Sequence, residues 1–249
     1  MNKNKKLLLP VAAAGFVLII ILMLTVETSI TVGVNWHYRK IRMPLYVKWT
    51  EFLARHYEYE RLSKEITAGC KTDEEKTLAI LKWTRENLRD LPQGMPLHDD
   101  HILNIIIRGY AVPEQFQDVF TTLCAYGNID AFFKRVYDKS HKARYTVSLV
   151  KLGGKWRVFD AYHNLYFRTR SGEIAGIEDI IKDPSIVSGK DVDALTVDGV
   201  PYKEFFHDLS GISEPQTTRP EKQMPLHRII YETKRALKLE KDDDRNANR

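Results

Sequence analysis

The sequence predicts an α+β domain carried behind one apolar N-terminal helix, and three observations carry that prediction. The twenty residues that begin at Leu7 and end at Val26 contain no charge. Apolar side chains then recur at helical spacings between residues 43 and 126, and beyond residue 126 the period changes from 3.6 to two. Helices followed by a run of strands indicate segregated helix and sheet rather than an alternating architecture.

The chain has 249 residues, 43% apolar and 29% charged. That composition excludes wholesale disorder and a polytopic membrane protein, and the length supports one modest domain with appendages. The formal charge of +5 sits at the ends, because residues 27–214 hold 26 basic against 27 acidic side chains. A nucleic-acid groove needs clustered basic charge on the domain itself, so no nucleic-acid partner is expected.

The first element is the apolar run, LLLPVAAAGFVLIIILMLTV, preceded by Lys3, Lys5 and Lys6. At 1.5 Å per residue it is about 30 Å long as a helix, the thickness of a bilayer's hydrocarbon. A cleaved signal would end at small residues, whereas Ala12 to Ala14 lie near the start and bulky Ile, Leu and Met follow. The run therefore predicts an uncleaved single-pass signal anchor, with the C-terminal domain outside the cytoplasm. Arg39, Lys40 and Arg42 balance the three lysines under the positive-inside count, so the orientation rests on long downstream domains translocating regardless of such charges.

Residues 27–42 read as a linker. Pro44 opens a helix over residues 43–66, with Val47, Phe52, Leu53, Tyr57, Leu62 and Ile66 at three-to-four spacing and Gly69 at its end. Thr72-Asp73-Glu74-Glu75 is a capping box that starts a second helix, carrying Leu78, Leu81 and Leu88 and stopped by Pro92. A third runs from Glu114 to Tyr126 behind Pro113, with Phe116, Val119, Phe120 and Leu123 on one side. Tyr145, Val147 and Leu149 then alternate with Thr146, Ser148 and Val150, Gly153-Gly154 turns the chain, and Trp156, Val158 and Asp160 alternate with Arg157 and Phe159. Beyond residue 177 only loops and short elements are expected until residues 225–241, a basic amphipathic helix with Leu226, Ile230, Thr233 and Leu237 on one face. That helix is either an ordinary surface element or a contact with a partner or a lipid surface.

This order, with TDEEKTLAILKWTRENL, NIDAFFKRV and YTVSLVKLGGKWRVFDAYHNLYF, resembles the transglutaminase-like superfamily over roughly residues 72–167. The resemblance implies a papain-like core in which a Cys starts a helix, a His lies on one strand and an Asp on the next. It divides the chain into cytoplasmic start and anchor (1–26), juxtamembrane linker and helix (27–70), transglutaminase-like domain (71–200) and C-terminal extension (201–249). Laid over the family pattern without gaps, the nucleophile position is Pro113, the His position Tyr145 and the Asp position Asp160.

Those departures bear on chemistry. A thiol at a helix N-terminus is ionised by unpaired amides and the helix dipole, and a His partner completes the charge separation. Proline supplies no nucleophile, and tyrosine, with an ordinary pKa near 10, is a poor base at neutral pH. The expectation is a pseudoenzyme. Its binding cleft would hold Glu114, Tyr145, Asp160 and His163, and the resemblance implies a peptide, a surface polysaccharide or an envelope protein as ligand.

A two-residue Gly153-Gly154 turn pairs Leu152 with Lys155 and Val147 with Asp160, which puts Tyr145 diagonal to Asp160 on one face. Asp160 would then orient the Tyr145 hydroxyl; the alternative is a buried Asp satisfied by backbone amides. Cys124 is the rival nucleophile, three turns into its helix where apolar packing raises a thiol pKa, and a core position is the plainer reading. With His163 and Asp160 it forms the one assembly that would restore thiol catalysis in an amidase, protease or acyl transferase. Cys70 lies in a loop with no His near in sequence, and neither its redox state nor that of Cys124 follows from spacing. His98-Asp99-Asp100-His101 has metal-ligand composition, but four adjacent side chains cannot converge, and Asp99 or Asp100 serves better as an N-cap for the next helix. No metal and no cofactor is expected.

Overall fold

The computed structural model describes residues 3–34, 37–96, 101–207 and 209–237. The chain divides into two compact units, one built on residues 1–55 and the other on residues 56–95 with 101–249.

In the first unit α1 runs over Lys3–Thr25. Its described part is apolar and faces outward, with Phe16 64% and Leu24 59% exposed. Among the described residues no helix is long and apolar enough to cross a membrane. The front of the apolar run, Leu7 to Leu9 with Val11 and Ala12, lies outside the side chains described. The linker expected after it is instead a hairpin. β1 (Glu27–Val34) pairs antiparallel with β2 (His37–Pro44), from Glu27 opposite Pro44 to Val34 opposite His37. The β-branched alternation of Thr28, Ile30, Val32 and Val34 explains it. Helix α2 accordingly begins at Leu45, after Pro44, and runs to Ile66.

In the second unit, α3 (Asp73–Asn87) carries the expected capping box, Thr72 accepting from the Glu75 amide at 3.1 Å while Glu75 accepts from the Thr72 amide. It ends at Asn87 rather than at Pro92, because Leu88 is already extended and the chain leaves to form β3 (Arg89–Asp90). That strand pairs parallel with β4 (Tyr110–Ala111), across α4 (Ile102–Arg108). The N-cap of α4 is His101, which makes no side-chain cap; His98, Asp99 and Asp100 lie outside the described residues. Helix α5 (Pro113–Tyr126) has proline at its first position, where the missing amide would be unpaired anyway.

Four antiparallel strands follow in spatial order: β5 (Ala131–Tyr137), β6 (Arg144–Leu152), β7 (Lys155–Asp160) and β8 (Leu165–Tyr166). Gly153 and Gly154, at φ 59° and 79°, make the two-residue turn, and Leu152 opposite Lys155 continues in register to Ser148 opposite Phe159. Helix α6 (Ile177–Lys182), the single turn α7 (Lys190–Asp193), the pair β9 (Thr196–Val197) and β10 (Val200–Pro201), and a 3₁₀ segment at Tyr202–Phe206 come next. The chain's last described helix is α8 (Pro225–Ala236).

The sheet is buried on both faces, which gives the unit two cores. Tyr59, Ile80, Leu81, Phe116, Phe120, Leu123, Cys124, Val150 and Phe159 pack on the helical side. Tyr145, Val147, Leu149, Val158, Ile180, Tyr202, Phe205 and Phe206 pack on the other. Residues of odd number on β6 face the second core and those of even number the first, the period-two pattern of a strand. This α+β arrangement is the class the sequence predicts.

Candidate functional site

Asp160 ends β7 between the two cores and is 1% exposed. A carboxylate at that depth is tolerated only if donors replace its water. Oδ1 accepts from Gln117 Nε2 at 2.9 Å and from the amides of Tyr162 and His163 at 3.0 and 3.2 Å. Oδ2 accepts from the hydroxyls of Tyr145 at 2.8 Å and Tyr202 at 2.7 Å. His163 Nδ1 lies 2.8 Å from the same Oδ2 and 3.0 Å from Tyr145 Oη. An ionised carboxylate has no proton to give, so the ring nitrogen donates to it.

The local sequence sets each donor in place. Gln117 lies one turn into α5, where its Oε1 also accepts from Ser148 Oγ at 2.7 Å and from the Ala161 amide at 3.1 Å. It thereby clamps helix to sheet directly beside the carboxylate. Tyr145 reaches Asp160 because the glycine turn leaves both on one face of β6 and β7. Tyr202 arrives from the 3₁₀ segment on the opposite side of the sheet from α5.

Burial pushes the Asp160 carboxyl up. It is outweighed by the hydrogen bond and charge of His163, followed by the hydroxyls of Tyr202 and Tyr145, and the net shift is below the ordinary carboxylate value. Burial pushes both tyrosines up, and the Asp160 charge adds to it. Their hydroxyls therefore stay protonated and act as donors.

The expected contact between Asp160 and Tyr145 is present, and the alternative, satisfaction by backbone amides, is present with it on the other oxygen. His163 enters the same cluster and closes over it. Glu114 does not: it is exposed and pairs with Arg135 at 3.0 Å. Pro113 is exposed at the start of α5, one turn before Gln117.

Cys124 is not brought to Asp160 and His163. It is fully buried in the helical core, and burial alone pushes its thiol well up. From Gln117, which touches Asp160, it lies seven residues further along α5, about 10 Å. Cys70 precedes α3, whose other end places Arg85 over the rings of Phe116 and Tyr162 at 5.4 and 5.6 Å. The helix from Asp73 to Arg85 spans about 18 Å, so Cys70, before its start, sits far from this end of α5. Tyr162 packs edge-on against Phe116, with centroids 5.2 Å apart, and Phe167 is buried against Phe206. These aromatic rings serve packing.

Gln117 and Tyr202 were not legible as members of the cluster. Gln117 had one signal: with Thr121 it interrupts the apolar side of α5, and both are fully buried. Tyr202 is 42 residues from Asp160 and has no local signal. Two hollows open elsewhere on this unit, one of about 630 Å³ at the β5–β6 turn, including Arg135, Lys142 and Arg144, and one of about 330 Å³ beside Trp156 and Met224. Neither is lined by Asp160.

No protein-family model and no curated protein matches the chain. Among solved structures, one provisionally named a protease, from Parabacteroides distasonis ATCC 8503, is 17% identical over 41% of this chain and 23% of its own, with a TM-score of 0.36. A provisionally named cysteine protease from Cytophaga hutchinsonii is 19% identical over 44% and 38%, TM-score 0.39. A TGase is 12% identical over 65% and 48%, TM-score 0.34. The superpositions are loose, and this chain spans between about a quarter and a half of those structures.

Proposed function

We propose that this protein is a membrane-anchored, transglutaminase-like domain that has lost thiol catalysis and serves as a binding or assembly module in the cell envelope. The observation that carries the reading is the saturation of Asp160. Three donors occupy each oxygen, and the tyrosine at the family's His position spends its hydroxyl on one of them. The carboxylate thus joins α5, β6, β7 and the 3₁₀ segment, a structural role that needs no reacting group. Pro113, exposed at the helix start, offers no side chain to ionise. The anchor is supported by the outward-facing apolar residues of α1.

Timed labelling of the full chain with a thiol-directed electrophile tests this. The expected result is slow modification of Cys124 that becomes fast only on unfolding, with Cys70, which is half-buried in its loop, reacting first. Fast, pH-dependent modification of Cys124 in the folded protein would instead establish an active cysteine enzyme.

A further inference from the structure

Helix α8 is turned the opposite way from an ordinary surface helix. Its inward contact is Tyr231, 7% exposed, with the Lys222 ammonium 4.6 Å and the Arg228 guanidinium 5.8 Å from the ring centre. Leu226, Ile229, Ile230 and Leu237 remain 67%, 51%, 45% and 64% exposed. At about 100° per residue those four fall within an arc of about 100°, with Tyr231 about 150° from its middle. A soluble helix buries that stripe; this one leaves it wet and buries Tyr231 on the other side.

We infer that the stripe rests on an anionic lipid surface, with α8 lying in the plane of the bilayer. Charge favours that occupant: residues 218–237 carry five Lys/Arg against two Glu, and with Arg219 paired to Asp118 at 2.8 Å the remaining four basic residues still exceed the two glutamates. One of those glutamates, Glu232, is held by Arg228 at 2.6 Å. Lys234 lies about 90° from the middle of the stripe, the place of a basic residue at the edge of an interfacial helix, and twelve residues, about 18 Å, are too few to span. A second copy fits poorly. The four side chains offer roughly 400 Å², about half of what each partner buries in a stable interface, and a two-fold contact would face like charges. This inference rests on the anchoring proposed above, since a bilayer held by α1 is the surface met at highest local concentration.

The test uses the full chain with Cys70→Ser and a single spin label at Ile230→Cys, reconstituted into phosphatidylcholine vesicles with or without one-quarter phosphatidylglycerol. Carbonate extraction reads insertion of α1 independently. In the anionic vesicles the label at residue 230 should gain accessibility to oxygen and lose accessibility to a water-soluble relaxer several-fold. High salt should reduce that change, and a label at Glu232→Cys should stay aqueous. A label at 230 that remains aqueous in carbonate-resistant protein overturns the inference. So does a label shielded equally in lipid-free detergent with a dimer mass, which would assign the stripe to a second copy. Extractable protein whose label still enters added anionic vesicles would refute the anchor and support the lipid contact of α8.

Discussion

Replacing Asp160 by asparagine keeps the shape of the side chain and removes its charge, and two effects then oppose each other. Burying a carboxylate costs several kcal/mol that asparagine does not incur. Against this, the charge strengthens every bond it accepts. The direction of the shift decides between them: Asp160 ionises more easily than an ordinary carboxyl, so the donors more than offset the burial. Asparagine can keep the three N–H groups on Oδ1. At the other position its NH2 meets three former donors, the hydroxyls of Tyr145 and Tyr202 and Nδ1 of His163, and with two hydrogens it can be accepted by at most two of them. Losing charge assistance on three bonds at about 1 kcal/mol each predicts a destabilisation of about 3 kcal/mol at neutral pH. With a urea slope of about 2 kcal/mol/M, the midpoint followed by tryptophan fluorescence in detergent should fall by about 1.5 M with the slope unchanged. The gap has a definite pH dependence. A depressed folded pKa contributes stability that is fully present above the unfolded value near 4 and lost as pH falls through the folded value. Wild type and Asp160→Asn should therefore converge in acid. A variant within about 0.5 M of wild type at pH 7, or more stable than it, would refute the view that this carboxylate holds the layers together.

Gln117→Leu should cost about 3 kcal/mol in the same assay, because it removes a donor to Asp160 and leaves the buried Ala161 amide without an acceptor. Ser148→Ala, which frees only one acceptor site on that glutamine, should cost about 1 kcal/mol. Gly176→Ala would place a Cβ 2.5 Å from the Trp156 carbonyl oxygen, a backbone atom that cannot yield cheaply, and should cost about 2 to 3 kcal/mol. Gly172→Ala meets no atom within 4 Å and pays only for its φ of 88°, about 1 kcal/mol, so equal losses at the two positions would refute the steric argument.

What could be read from the sequence was whatever local chemistry specifies. The capping box at Thr72 and the glycine turn depend on residues within four of each other, and both stand as read. Register followed from the turn, and with it the meeting of Tyr145 and Asp160. The hairpin of β1 and β2 is not apparent in the sequence although Thr28, Ile30, Val32 and Val34 alternate, because Arg39, Lys40 and Arg42 leave the return segment without an apolar alternation of its own. Tyr202 could not be foreseen at all. Its place beside Asp160 is set by packing of Phe205 and Phe206 under the sheet, a long-range contact without a periodic signature.

The length of the β6–β7 turn is a quieter determinant of the site than any side chain in it. Side chains on a strand change face at every step, so an inserted or deleted residue between Leu152 and Lys155 that passed into the strand as a one-residue slip of register would swing the carboxylate to the wrong side of the sheet. Asparagine tolerates the same backbone as Gly153 and Gly154, at φ 59° and 79°, so the spacing that this turn enforces matters more to the cluster than the identity of either residue.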